Sequence, residues 1–204
     1  MTAAQTDDEI KSVVANMMDI QTALDYVATD RAIDNDDGAF HWYCRGPFCG
    51  PHNFYWYERP LSKQAMVIPW DLDHSLFSQN PITPVADEFG ETRADCNPFE
   101  YGLMKLTQRS ATCDKLIYGW SLYQDEYHIA LRKLLEGPYS EDAINRKLDA
   151  WSAQIAAATQ EAANNHDDAV SIEQWQKDIN YLKTKTNEMR ISIQEKVKAY
   201  KTSK

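Results

Sequence analysis

The amino-acid sequence predicts a single α+β domain, mainly helical, with one β-hairpin set between two helical stretches. Three observations carry this. A helix-capping pattern and helically spaced apolar residues open the chain, residues 53–70 place aromatic and β-branched residues on both sides of a turn, and from Asn97 onward the apolar pattern is helical to the end. A chain of 204 residues is long enough for one sizeable core. Eleven Tyr, six Trp and six Phe supply it with large side chains.

The first helical stretch begins at Thr6-Asp7-Asp8-Glu9, where a Glu three places after a Thr forms a capping box. Val13, Val14, Met17, Met18, Ile20, Ala23, Leu24, Val27 and Ala28 then recur at helical spacing, with a break expected near Asp19. Asp34-Asn35-Asp36-Asp37-Gly38 ends the stretch as a loop. The hairpin runs from Asn53-Phe54-Tyr55-Trp56-Tyr57-Glu58 through Arg59-Pro60-Leu61-Ser62-Lys63 to Gln64–Trp70. Residues 71–98, with Pro81, Pro84, Gly90 and Pro98, read as a long surface loop. Helical stripes follow: Leu103, Met104 and Leu106; then Leu116 to Leu135, broken by Gly137-Pro138. Next come Ile144, Leu148, Trp151 and Ile155 behind Ser140 as a cap, and finally Trp175 to Val197 behind the capping box Ser171-x-x-Gln174. All of these stripes are expected to be core.

A net charge of −10 argues against nucleic acid as a partner, because phosphate neutralisation needs clustered Lys and Arg. No apolar run approaches transmembrane length, so membrane insertion of this stretch is not expected. The opening MTAAQTDDEIKSVV has neither the basic nor the apolar region of a signal peptide, and the chain as given reads as soluble. Four cysteines permit two disulfides. Cys44 and Cys49 flank the tight loop RGPF, and His41, Cys44, Cys49 and His52 form a symmetrical set that could instead hold zinc. The loose Cys spacing ranks a clasped loop above zinc, and Cys96 with Cys113 is expected to staple the long loop to the helical body.

The stretch MVIPWDLDHSLF at 66–77 is an apolar strand whose end carries Asp71 and Asp73. Turn chemistry alone would account for such a pair. Read with Asp37 after a helix and Asn53 at the start of the hairpin, however, it follows the order of a protein-kinase catalytic base, metal-side Asn and metal-binding Asp. Phosphoryl transfer asks for a carboxylate that accepts the hydroxyl proton and for hard oxygen ligands to a cation.

NDDG at 35–38, PHNFYWYERP at 51–60 and MVIPWDLDHSLF closely resemble the spore coat protein H (CotH) family of atypical protein kinases, and CDKLIYGW and EYHIALRKLLEGPYS are similar to its C-terminal helices. The resemblance implies a kinase C-lobe-like fold with one β-hairpin and a C-terminal helical bundle. It implies ATP with Mg2+ or Mn2+, and a protein substrate that is a surface or coat protein. It also implies Asp37 as catalytic base, Asn53 and Asp71 on the nucleotide-bound metal, and Asp73 as a further metal participant. Location in a spore coat, at a cell surface or outside the cell would follow for a full-length parent. Two departures stand out. Fifteen residues, including Cys44 and Cys49, lie between Asp37 and Asn53, so that an outward bulge is expected there. No Gly-rich loop or strand-borne Lys precedes Asp37, so residues 1–204 read as one kinase-like domain lacking the nucleotide-covering region, weak or inactive alone.

Two other classes compete. A strand followed by Asp-Leu-Asp also resembles the first motif of haloacid-dehalogenase-type phosphatases, with Asp71 as nucleophile and Asp73 as acid/base. That fold needs strands alternating with helices, which the helical pattern after residue 97 does not provide. A non-catalytic surface interaction module is the third reading.

Overall fold

Thr6 caps the first helix as its spacing predicts: its Oγ1 accepts from Glu9 N at 3.3 Å while Glu9 Oε2 accepts from Thr6 N at 3.2 Å. The computed structural model describes residues 6–35, 37–76, 96–101 and 105–202. Helix α1 spans Asp7–Met17 and α2 Ile20–Ala32. The break falls at Asp19, whose carboxylate caps α2 through Thr22 N at 3.2 Å. That backbone hydrogen bond holds the Asp19 carboxyl below its ordinary pKa.

Four strands follow: β1 Trp42–Arg45, β2 Phe48–Gly50, β3 Phe54–Glu58 and β4 Ala65–Pro69. The pair β3–β4 is the expected hairpin, in the register Phe54 opposite Pro69 and Glu58 opposite Ala65. A single parallel bridge between Met18 and Ala65 ties it to the helix pair.

Two expectations need correction here. The loop at Cys44 and Cys49 is a second hairpin, β1–β2, with the two cysteines directly opposite each other and joined as a disulfide whose Cα atoms are 4.0 Å apart. Nor is the chain wholly helical after Asn97: β5 Phe99–Tyr101 and β6 Leu106–Arg109 complete an antiparallel sheet in the order β2-β1-β6-β5. These strands are three and four residues long, too short for alternation to show in the sequence. Leu106 therefore belongs to a strand, while Leu103 and Met104 lie outside the described residues, as does most of the predicted long loop. Cys96 and Cys113 form the second disulfide, which joins the described end of that stretch to the turn before α3, Lys115–Ser121.

The stripe from Leu116 to Leu135 divides into α3 and α4, Gln124–Glu136. The core lies where α2, α3 and α4 meet, around Leu24, Val27, Ile117, Trp120 and Leu131, and the second half of α6, Ile172–Thr202, closes it with Met189, Ile193 and Val197. Trp120 is the largest fully buried side chain, and its Nε1 donates to Met18 Sδ at 3.1 Å.

Helix α5, Glu141–Asn165, overturns a further expectation, because none of its residues is buried. Ile144 and Leu148 are half-covered by α6, and Trp151 and Ile155 are exposed. Helical spacing gives a helix an apolar face but does not say how fully its neighbours cover it, and α5 packs chiefly on α6. No helix among the described residues is long and apolar enough to cross a membrane. The result is α+β and mainly helical, with small antiparallel sheets.

Candidate active site

Helix α2 ends in a buried polar cluster. Asp30 and Arg31 are 2 % and 3 % exposed, and Arg31 donates to Asp30 Oδ2 at 2.8 Å. Such a pair is tolerated inside a fold because each charge neutralises the other and further hydrogen bonds use the remaining lone pairs. Asn35 provides one: its Nδ2 donates to Asp30 Oδ1 at 2.8 Å. Its Oδ1 accepts from the backbone N of Asp37 at 3.4 Å. A chain of hydrogen bonds thus runs from the buried pair to the backbone of Asp37. The Tyr139 hydroxyl donates to the Ala32 carbonyl at 2.9 Å, which satisfies one of the open carbonyls at the end of α2. Gly38 is required in this cluster. A Cβ there would lie 2.3 Å from Asn35 Nδ2 and 2.9 Å from Asp30 Oδ1.

Of the neighbouring aspartates, Asp34 is buried, and Asp36 lies outside the described residues. The Asp37 side chain is 27 % exposed, enough to meet a substrate. Both of its oxygens are engaged. Asn53 Nδ2 donates to Oδ2 at 2.7 Å, and His52 Nε2 hydrogen-bonds Oδ1. Asp37 and Asn53, sixteen positions apart in sequence, therefore meet side chain to side chain. The fifteen residues between them are taken up largely by β1–β2, which leaves and returns while its ends stay together.

Asn53 sits at the start of β3 with φ 59°, in the left-handed region that Asn tolerates better than most residues. Its carbonyl accepts from Trp70 N at 2.9 Å, which brings the end of β4 alongside it. Asp71 follows, also left-handed at φ 54° and exposed, and Asp73 lies in the short 3-10 turn Leu72–His74. Leu76 N then donates to the Ile33 carbonyl at 2.6 Å. The segment carrying Asp71 and Asp73 is thus tied at one end to Asn53 and at the other to the loop that leads to Asp37. Neither carboxylate makes a side-chain hydrogen bond or ion pair with another described residue, whereas Asp37 makes two hydrogen bonds.

Two details bear on the sequence reading. His52, which the sequence offered only as a member of the possible zinc set, is a partner of Asp37 and stacks on Tyr43, ring centroids 5.1 Å apart at 23°. The clasped loop ranked above zinc is the one formed: both thiols are consumed in the disulfide, which rules out zinc at His41, Cys44, Cys49 and His52. His41 is instead buried, with Gln108 Nε2 donating to its Nδ1 at 3.3 Å. Burial, and after it the Arg31 charge, push the His41 pKa well below the usual imidazole value.

Among the described residues no three His, Cys, Asp or Glu side chains cluster as a metal site. Compared with known families, residues 2–190 match the family model described as CotH kinase protein. The chain belongs to the CotH kinase family. No individually curated protein matches it. Membership supports a kinase-like function at the level of the family, and among the described residues the strands pair antiparallel, with no parallel sheet of the kind a dehalogenase-type phosphatase would need.

Proposed function

We propose that this CotH domain transfers the γ-phosphoryl group of ATP to a protein hydroxyl, on a scaffold similar to the helical lobe of protein kinases. The observation that carries the reading is the Asp37–Asn53 contact at the foot of a hairpin whose other end is Asp71. Asp37 is the base. The acceptor oxygen forms a bond to the γ-phosphorus, the bond from that phosphorus to the β–γ bridging oxygen breaks, ADP leaves with the electron pair, and the hydroxyl proton passes to Asp37.

A divalent cation, Mg2+ or Mn2+, fits the donor set. Asn53 spends its amide nitrogen on Asp37, which leaves its Oδ1 as a hard ligand, and Asp71 and Asp73 offer exposed carboxylates on a segment tied to the same place. Magnesium is commonly held by one or two carboxylates together with substrate phosphates, so the missing three-carboxylate cluster does not count against it. When bound, the cation offsets charge on the phosphates. The buried Asp30–Arg31–Asn35 cluster sets the backbone from which Asp37 projects.

Between residue 6 and Asp37 the described chain holds α1 and α2 and no strand, so no strand-borne lysine is available there to pin the phosphates. We therefore expect slow transfer by residues 1–204, because positioning supplies most of the catalysis in this chemistry. The test is Mg2+- or Mn2+-dependent transfer from ATP to a surface or coat protein, by this chain and by a version extended at its amino end. Asp37→Asn and Asp71→Asn should each lower kcat about 10²–10⁴-fold. Release of phosphate from phosphomonoesters without ATP would favour a phosphatase instead. Partner binding with neither activity would leave an interaction module.

A further inference from the structure

We propose that His52 is a positioning residue for Asp37, and that the Cys44–Cys49 hairpin is the backing that holds His52 in place. The proposal rests on the reading of Asp37 as the base. Successive side chains of an extended strand point to opposite faces, so neighbours in sequence do not ordinarily reach one group. Here the left-handed backbone at Asn53, φ 59°, breaks that alternation, and His52 and Asn53 both reach the Asp37 carboxylate.

The two contacts fall on different oxygens, His52 on Oδ1 and Asn53 on Oδ2. The terminal torsion of an Asp side chain has a broad preference and is not fixed by sterics alone. A carboxylate gripped at one oxygen can still swing about that bond. Gripped at both, it has one plane, and the lone pairs left over point in set directions. An ionised carboxylate only accepts, which assigns the imidazole proton at this contact to Nε2.

His52 needs support of its own, because its side chain is 44 % exposed. The support is Tyr43, on whose ring it stacks. Tyr43 is a central residue of the sheet, opposite Gly50 on β2 and Gln108 on β6. The next pair along the hairpin, Cys44 and Cys49, is covalently closed. Two residues after Gly50 the chain reaches His52. The insert between Asp37 and Asn53 thus carries both the imidazole and the ring behind it.

In the form of the protein that transfers phosphate, kcat and the ATP KM are measured with labelled ATP and a serine-peptide pool. His52→Ala should lower kcat about 10- to 100-fold, the loss expected from a misplaced reacting group, with the ATP KM held within about twofold. His52→Gln, which keeps a side-chain donor, should recover part of the loss, and Tyr43→Ala should show the same pattern more weakly. In an Asp37→Asn background, His52→Ala should cost nothing further. If Asp37→Asn itself leaves transfer unchanged, the assignment of the base falls and this proposal falls with it. If Asp37→Asn abolishes transfer while His52→Ala keeps full kcat, only the positioning role is overturned. A readout free of activity uses long-range 1H–15N spectra of the imidazole: the His52 Nε2 resonance should move on Asp37→Asn, and an unmoved resonance overturns the proposal.

Discussion

Asp37 and Asp71 arrive at the candidate site from opposite kinds of ground. Asp37 projects from a loop anchored in the interior, where Asp30, Arg31 and Asn35 are each at most 3 % exposed and hydrogen-bonded in series. Asp71 ends a hairpin whose outer residues Tyr55, Trp56, Tyr57, Ile68 and Trp70 all stand in solvent. The difference suits the roles proposed for the two carboxylates. A base must face one hydroxyl, and a buried network that cannot shift without exposing a charge gives it that precision. A cation ligand can be adjusted by the ion it binds, so a strand end with exposed carboxylates suffices.

Substitutions on the buried side should therefore cost stability, and those on the rim should not. The largest effect is expected from Asp30→Ala, which strips the buried Arg31 of the carboxylate 2.8 Å away and Asn35 of an acceptor. Breaking a buried pair in this way costs about 3–5 kcal/mol. Chemical denaturation should show it as a large drop in the midpoint. A loss below about 1 kcal/mol would mean that the cluster does not anchor the loop.

Gly38→Ala comes next. The added methyl would meet Asn35 and Asp30 at less than 3.0 Å, and the atoms in the way belong to the network itself. Overpacking of this kind costs about 1–3 kcal/mol. The variant should also lose phosphotransfer, since moving Asn35 moves its contact with Asp37 N. Full activity would separate the network from the base.

His41 supplies a smaller and reversible effect. Its folded pKa is depressed, by burial first and then by Arg31, so the fold favours the neutral ring. The unfolded chain takes up the proton near pH 6.5, and stability is therefore complete above that value and lost as pH falls below it toward the folded pKa. One group of this kind removes about 1 kcal/mol between pH 6.5 and 5.5. The thermal midpoint should fall across this window, and His41→Gln should flatten that limb. A flat limb in the parent chain would mean that the buried ring charges without penalty.

What the sequence made legible was local. Thr6 and Asp19 announce their helices by chemistry within three residues, and the aromatic run from Phe54 with the β-branched run to Pro69 announces its hairpin. Non-local pairing was not legible. Strand β6 joins β1 through Trp42 opposite Arg109, far apart in sequence, over segments too short to show a period. For α5 the spacing was real, but coverage of its stripe depends on neighbours that periodicity does not count. At the site, Asp37, Asn53, Asp71 and Asp73 were legible as residue types in kinase order. The contact of His52 with Asp37 was not, because it depends on the backbone turn at Asn53. Its place beside that Asn was the available signal.

The smallest effect is expected on the rim, from Ile68→Thr. Ile68 is 41 % exposed and faces Tyr55 across the hairpin, so the change swaps one β-branched side chain for another on a wet face. Stability should stay within about 0.5 kcal/mol of the parent. Register should hold as well, because Ala65 is tied to Met18, Trp70 N to the Asn53 carbonyl, and the partly buried Phe54 and Val67 pack against the core. If that is so, phosphotransfer in Ile68→Thr stays at the parent level, whereas Asp71→Asn, three residues further on, loses it at equal stability. An Ile68→Thr protein that lost both stability and transfer would show that the rim is held as tightly as the interior, and the contrast between the two carboxylates would go with it.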